Sequence, residues 1–101
     1  MSDTGLTYER RGAVAIITID DAPHNRMSMA FMDALESLVA AIAADVAIRA
    51  VVITGAGDKN FSVGMDLKEL AGSLGDPVRV DAILDQRLRV LAAIEDMDKP
   101  W

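Results

Sequence analysis

Cysteine is absent from this 101-residue chain, and histidine occurs once, at position 24. Without cysteine there is no disulfide framework, no thiolate metal site and no cysteine nucleophile. A single histidine with no paired ligand one helical turn away gives metal binding little support, so no metal site is expected. His24 also lies in a turn that lacks the nucleophile-elbow pattern, which argues against a Ser-His-Asp triad.

Long apolar runs and an excess of positive charge are missing as well. No apolar stretch is long enough to span a bilayer. The formal net charge is -6 and the pI is about 4.5, which disfavours binding to nucleic acid or to an anionic membrane. The first five residues, MSDTG, contain neither a basic segment nor an apolar one. We therefore expect no secretory or mitochondrial targeting, and a cytoplasmic location.

The residues that are present predict one α/β domain. Hydrophobic residues make up 51% of the chain, an ordinary share for a globular protein. Apolar, β-branched runs predict strands over residues 6–10, 14–20 and 50–54. Between the last two, Ser28 is a good N-cap for a helix whose apolar residues recur every three or four positions, at Met32, Leu35, Val39, Ile42 and Val46. A strand-helix-strand order predicts a crossover connection. The second strand is apolar on both faces, which is typical of a strand covered on each side.

A second long helix is predicted near the end of the chain. Asp76 and Pro77 form a suitable N-cap and first helical residue. The apolar stripe of this helix is predicted to contain Val80, Ile83, Leu84, Leu88, Leu91 and Ile94.

The stretch 61–70, FSVGMDLKEL, carries the main functional signal. Gly64 has no Cβ, so a ligand atom can approach the main chain closely. Asp66 can cap the helix that follows, and Glu69 completes a capping-box spacing. Such a helix start offers backbone N–H groups to a developing negative charge on oxygen. The competing interpretation is a strand, a loop and a capped helix with no ligand.

Two other interpretations of this region are weaker. Residues 55–60, GAGDKN, lack the spacing of a phosphate loop, and Asn60 stands where a dinucleotide-binding motif needs glycine. Asp66, Lys68 and Glu69 could form an acid/base cluster, but capping and solvent exposure explain these residues better.

Residues 54–70 resemble the first signature block of the crotonase (enoyl-CoA hydratase/isomerase) superfamily. That block reads T-G-x-G, then F-x-A-G-x-D-L-x-E, and here the matching residues are TGAG and FSVGMDLKE. Upstream, residues 25–28, NRMS, are similar to the family's N-A-L-S loop. The chain departs from the pattern at Arg26, Val63 and Met65, where the family commonly has alanine.

The resemblance implies a fold and an extent. The fold would be a spiral of β-β-α units, with residues 1–101 forming the N-terminal part of a single crotonase-like domain. In the family, a K-P dipeptide like Lys99-Pro100 opens a further strand and a glycine-rich helix start. That later block carries the second oxyanion-hole N–H, and the acidic catalytic residues lie in and beyond it. The resemblance therefore implies a chain truncated before those residues and inactive alone.

The resemblance also implies a site and a substrate. Met65 would be catalytic through its backbone N–H, as one donor of the oxyanion hole. Residues in contact with the substrate would be His24, Arg26, Gly64, Asp66, Leu67 and Lys68. The substrate would be an acyl-CoA thioester, with coenzyme A as part of it and no separate cofactor. The family also implies fatty acid metabolism and a homotrimer or hexamer.

Several functions remain open within this resemblance. Hydration of a 2-enoyl-CoA, a lyase reaction, is the leading hypothesis. The alternatives are isomerisation, thioester hydrolysis, or a non-catalytic module for acyl-CoA binding or assembly. Carboxylates at the family's acid/base positions would favour the hydratase over the others.

Overall fold

The computed structural model describes residues 4–101, the side chain of Leu67 excepted. It contains five strands and three helices within that range. In chain order they are β1 (Leu6–Arg11), β2 (Val14–Ile19), β3 (Arg26–Met27), α1 (Met29–Ala44), β4 (Ala50–Gly55), β5 (Gly64–Met65), α2 (Leu67–Ala71) and α3 (Pro77–Glu95). No helix in the described range is long and apolar enough to cross a membrane.

The strands form two separate sheets. In the larger sheet the order is β1-β2-β4, with β1 antiparallel to β2 and β2 parallel to β4. Because β2 and β4 are parallel, the chain must cross over between them, and α1 makes that connection. The predicted strand-helix-strand crossover is therefore confirmed. The smaller sheet pairs β3 with β5, two residues each, in parallel register.

The core lies between one face of the larger sheet and α1. On β2, Ala15, Ile17 and Ile19 are fully buried. They pack with a row of buried residues on α1, namely Phe31, Met32, Leu35, Val39 and Ile42. The other face of the sheet is only partly covered, since Val52 on β4 is 47% exposed. The prediction that β2 is covered on both faces is thus met on one face only.

Helix α1 is capped at both ends. The Ser28 hydroxyl accepts a hydrogen bond from the N–H of Phe31 at 3.0 Å, as its predicted role as N-cap requires. The helix ends at Ala44, and Lys99 donates to the carbonyls of Ile42 and Asp45. The prediction that Val46 belongs to the buried stripe is wrong, because the helix stops before it and its side chain is 95% exposed.

The inner face of α3 matches the predicted stripe only in part, with Ile83 and Ile94 in common. Its buried residues are Ile83 and Val90. Arg87 and Ile94 complete the same face at spacings of four, three and four, and both are half-buried. By contrast the predicted residues Leu84, Leu88 and Leu91 are 41%, 68% and 57% exposed. These three leucines lie on the adjacent face of the helix. Hydrophobic periodicity selects that face because Arg87 interrupts the apolar spacing of the inner one.

Candidate active site

The small β3–β5 sheet brings together most of the residues predicted to form a site. Arg26 pairs with Gly64, and Met27 pairs with Met65. A depression of about 290 Å³ opens beside them. Its lining residues are Arg26, Val63, Met65, Asp66 and Lys68. Four residues predicted to bind substrate or to act in catalysis therefore share one surface, although Arg26 is about forty positions away in the chain from the others.

Gly64 has the backbone geometry that the prediction requires. Its φ is +93°, a value that side chains with a Cβ rarely adopt. Apart from Gly64 and its two chain neighbours, no residue in the described range has an atom within 4 Å of the point where a Cβ would stand. The main chain next to Met65 is therefore open to an approaching group.

Ser62 supports the backbone of this turn. Its hydroxyl donates to the carbonyl of Asn25 at 2.6 Å and accepts from the N–H of Gly64 at 2.9 Å. The Ser62 side chain thus links the first residue of β5 to the residue before β3. Sequence reasoning did not identify Ser62, which is the variable position of the family's F-x-A-G pattern.

Asp66 acts as the N-cap of α2, as predicted. Its Oδ1 accepts hydrogen bonds from the N–H groups of Lys68 and Glu69, at 3.0 and 3.4 Å. The helix that it caps is only five residues long. The side chain of Leu67, predicted to contact substrate, lies outside the described part of the structure.

Glu69 has a different partner from the one predicted. In a capping box its carboxylate would return to the N–H of the N-cap residue, Asp66. Instead Glu69 Oε1 accepts a hydrogen bond from the N–H of Met29 at 2.7 Å. Met29 is the first residue of α1, so Glu69 satisfies one of the otherwise unpaired N–H groups at the start of a different helix. The capping-box prediction is wrong, and the reason is a contact forty residues away in sequence.

Arg26 is held by Asp21. The carboxylate of Asp21 accepts from Arg26 Nε at 2.9 Å, from Nη2 at 3.4 Å and from the backbone N–H at 3.1 Å. The hydrogen bond from Arg26 is the main reason that the pKa of Asp21 lies below its usual value, and the same pair raises the pKa of Arg26. No residue in the described range bonds to Arg26 Nη1, so that edge of the guanidinium can still meet an anion.

His24 is exposed and does not line the depression. Its backbone carbonyl accepts a hydrogen bond from the N–H of Val63 at 3.0 Å, which links the two loops that lead into β3 and β5. Its ring lies near enough to Asp21 to contribute to the lowered pKa of that carboxyl group. A contact between the His24 side chain and substrate stays a prediction.

Asn25 is a second residue that sequence reasoning did not single out. It is completely buried and has a φ of +53°. Its Nδ2 donates to the carbonyls of Ala56 and Asn60, and its Oδ1 accepts from the N–H of Asp21. A buried asparagine with three satisfied hydrogen bonds fixes the loops on either side of the site. The sequence signal that could have identified Asn25 is its position as the first residue of the NRMS stretch.

The side chains around the depression do not suggest a metal ion. No group of three or more potential metal-binding side chains occurs among the residues that the structure describes. Asp66 is the one carboxylate lining the depression in the described range, and its Oδ1 is already engaged by two N–H groups.

Comparison with known proteins agrees with these observations. A sequence model of the enoyl-CoA hydratase/isomerase family matches residues 9–100. The chain is 37% identical over 86 residues to the peroxisomal bifunctional enzyme of Danio rerio, covering 82% of this chain and 12% of that enzyme. It is 31% identical over 88 residues to a probable enoyl-CoA hydratase of Bacillus subtilis (strain 168), covering 86% of this chain and 33% of the relative.

Solved structures lead to the same conclusion. The enoyl-CoA hydratase from Bacillus anthracis matches with a TM-score of 0.86 at 26% identity, covering 95% of this chain and 37% of the other. The chain thus spans 12%, 33% and 37% of the lengths of these three proteins. The predicted crotonase-like α/β fold is confirmed, and the chain belongs to the enoyl-CoA hydratase/isomerase family of the crotonase superfamily.

Proposed function

We propose that this chain forms the half of an acyl-CoA site that binds the thioester oxygen, and that the whole protein containing it hydrates a 2-enoyl-CoA. The observation that carries the proposal is the shared depression. It places the backbone at Met65 beside two cationic side chains, Arg26 and Lys68. A thioester joined to a phosphorylated carrier presents both kinds of group, a polarisable carbonyl and several anions.

In the proposed reaction Met65 acts through its backbone. Its N–H donates a hydrogen bond to the thioester oxygen, where negative charge develops as water adds to the conjugated double bond. A preorganised donor of this kind is typically worth about 3–4 kcal/mol of the barrier. The positive φ of Gly64 and the open space beside it allow the oxygen to approach.

The binding energy is proposed to come from the other end of the substrate. Arg26 and Lys68 would contact phosphates of coenzyme A, and Asp21 would hold the guanidinium of Arg26 side-on while its Nη1 edge meets the anion. Gly64, Asp66 and Leu67 would complete the main-chain wall of the pocket.

A second candidate function follows from what surrounds the depression. Its one carboxylate in the described range, Asp66, caps α2 through Oδ1, and this role accounts for the residue without acid/base chemistry. This observation favours a non-catalytic module that binds an acyl-CoA without transferring a proton. An isomerase or a thioester hydrolase would use the same oxyanion contact.

The experiment has two parts. Binding of crotonyl-CoA and of free coenzyme A to the whole protein is measured by calorimetry. Hydration is then followed by the loss of ultraviolet absorbance of the conjugated enoyl thioester. Binding with turnover supports the hydratase, and binding without turnover supports the binding module. No binding of either compound would overturn both candidates.

Assembly and location belong to the same proposal. The family resemblance suggests a cytoplasmic homotrimer or hexamer, and sedimentation of the whole protein measures the oligomeric state. A monomer at micromolar concentration would contradict the oligomer.

A further inference from the structure

Arg87 is a cation on the inner face of α3. It occupies the same face as the buried residues Ile83 and Val90. Its Nη2 donates to the carbonyl of Met27 at 2.6 Å. Its Nε is buried and has no hydrogen-bond partner among the described residues. Burial lowers the pKa of Arg87, which means that the folded chain disfavours the charged form of this side chain.

This arrangement is not explained by stability. A buried N–H without a partner is costly, and an apolar residue at the same position would avoid that cost. Leucines at positions 84, 88 and 91 show that α3 has no shortage of apolar side chains. The charge at position 87 therefore needs a reason other than packing.

The group that Arg87 contacts leads directly to the proposed site. Met27 lies in β3 and is the register partner of Met65 in β5. Two residues later, the N–H of Met29 is bound by the carboxylate of Glu69 from α2. The segment from Met27 to Met29 is thus bonded at both ends. Arg87 of α3 binds the Met27 carbonyl, and Glu69 of α2 binds the Met29 N–H. Glu69 is also close enough to act electrostatically on Arg87.

The β3–β5 pair needs such support. Two strands of two residues each form too small a sheet to hold a fixed geometry alone. Contacts from outside this small sheet must therefore fix the position of the β5 backbone. Displacement of a reacting group by about 1 Å can cost about 100-fold in rate, even when the altered residue is remote.

We propose that Arg87 is a positioning residue: by binding the Met27 carbonyl from α3, it holds β3 in place and thereby sets the position of the Met65 N–H. The inference rests on the proposed function, because it assumes that Met65 meets the substrate oxygen. Glu69 shares the task from the opposite side of the segment.

The test compares three substitutions in the whole protein. Arg87→Met removes the hydrogen bond and keeps an unbranched side chain of similar length. Arg87→Lys keeps a cation that can donate to the same carbonyl. Arg89→Met is the matched control, because Arg89 also joins α3 to α1, through Glu36 at 2.6 Å, but does not touch β3.

The expected kinetic result is a split between turnover and binding. Arg87→Met should lower kcat for a 2-enoyl-CoA about 10- to 100-fold and leave KM within about threefold, since the Asp21 carboxylate still anchors Arg26 and Lys68 lies outside β3. The kcat of Arg87→Lys should lie closer to that of the parent than to that of Arg87→Met on a logarithmic scale. The kcat of Arg89→Met should stay within about twofold of the parental value. A folded Arg87→Met protein with parental kcat would overturn the proposal. An equal loss in Arg89→Met would also overturn it, because the effect would then be general loosening between helices.

A second measurement does not depend on catalysis. Labelling methionine with ¹⁵N reports on the Met27, Met29 and Met65 amides in the ligand-free protein. The Met65 resonance should move in both Arg87 variants and stay fixed in Arg89→Met. If the parent turns over no acyl-CoA but these shifts appear, the proposed function fails and the positioning role stands. If the parent is active and the Met65 resonance does not move in Arg87→Met or Arg87→Lys, the positioning role fails alone. If Arg87→Met does not fold, the Met65 resonance of Arg87→Lys alone provides the test.

Discussion

The side-chain nitrogen of Asn25 lies 2.7 Å from the point where a Cβ on Gly55 would stand. The carbonyl oxygen of Asn60 lies 2.9 Å from the same point. Gly55 ends β4, and Asn25 precedes β3, so the larger sheet and the site-bearing small sheet meet at this contact. The approach is possible only because residue 55 has no side chain, and this fixes how the two sheets are joined.

Gly55→Ala should therefore destabilise the protein. The added Cβ would stand closer to Asn25 and Asn60 than real Cβ contacts allow, so the backbone must shift. A loss of about 1–3 kcal/mol in the free energy of unfolding is expected from such overpacking. Gly75→Ala is the matched control, because nothing lies within 4 Å of its Cβ position. Urea denaturation measures both, and equal stability of the two variants would contradict the structure.

Asn25→Ala and Asn25→Gly should separate two roles of this residue. Both remove the three hydrogen bonds of the buried amide, and each unpaired buried group costs about 1–3 kcal/mol. Alanine must also adopt the positive φ of 53°, which glycine does freely. Asn25→Ala should therefore be less stable than Asn25→Gly by about 1 kcal/mol. If the alanine variant is the more stable of the two, the left-handed backbone at this position is not the native one.

These contacts also show which features a single sequence can predict. The strands of the larger sheet and the crossover followed from β-branched runs and a helical repeat, which are local. The caps at Ser28, Asp66 and Asp76 followed from side-chain chemistry within three residues. The grouping of Arg26 with Met65, Asp66 and Lys68 at one depression followed from the family resemblance and agrees with the structure.

The features that sequence reasoning missed depend on distant partners. Asn25 bonds to residues 31 and 35 positions away, and Arg87 to one 60 positions away. Local spacing predicts that Glu69 caps its own helix, whereas its partner, Met29, is forty positions distant. Hydrophobic periodicity wrongly places Leu84, Leu88 and Leu91 on the inner face of α3, because it gives no weight to a half-buried arginine. A charged residue interrupting a four-three-four apolar spacing was the available signal.

Asp21→Asn should change how stability depends on pH. The hydrogen bond from Arg26 lowers the pKa of Asp21 below its ordinary value of 3.8, so folding favours the ionised form. The contribution of the ionised group is therefore complete above pH 3.8 and is lost as the pH falls through the lower value of the folded protein. The gap in urea midpoint between the parent and Asp21→Asn should be constant between about pH 5 and 7 and shrink below that ordinary value. Asp58→Asn, an exposed loop residue without a hydrogen bond among the described residues, should show no such gap.

Arg26→Ala should weaken substrate binding more than turnover. If Arg26 meets the nucleotide end of coenzyme A, substrate and transition state lose the same contact, so KM rises and kcat stays near the parental value. A rise in KM of about tenfold is expected for an acyl-CoA. The rise should disappear for the corresponding pantetheine thioester, which lacks the nucleotide. Arg11→Ala, which breaks an exposed pair with Glu9 on β1, is the control. A collapse of kcat at constant KM would place Arg26 at the reacting end instead.

Met65 should matter through its backbone and little through its side chain. Met65→Ala keeps the N–H and should remain substantially active, apart from altered packing of the acyl chain. Met65→Pro removes the donor, and loss of one oxyanion contact typically lowers kcat about 10²–10³-fold. Proline also restricts the preceding residue, Gly64, whose φ of +93° the turn requires. Circular dichroism and oligomer size must therefore match the parent before rates are compared.

An ester in place of the peptide bond at Met65 gives a cleaner version of this test. Semisynthesis replaces the N–H by an oxygen, which deletes the donor with little change in shape and leaves Gly64 unrestricted. The folded ester protein should show a kcat about 10²–10³ below the parent, while KM, set by Arg26 and Lys68 at the other end of the substrate, changes little. Arg87→Met should lower kcat in the parent but not further in the ester protein, because a residue that positions the donor has no effect once the donor is gone. If the ester protein turned over an enoyl-CoA at the parental rate, Met65 would not be part of an oxyanion hole.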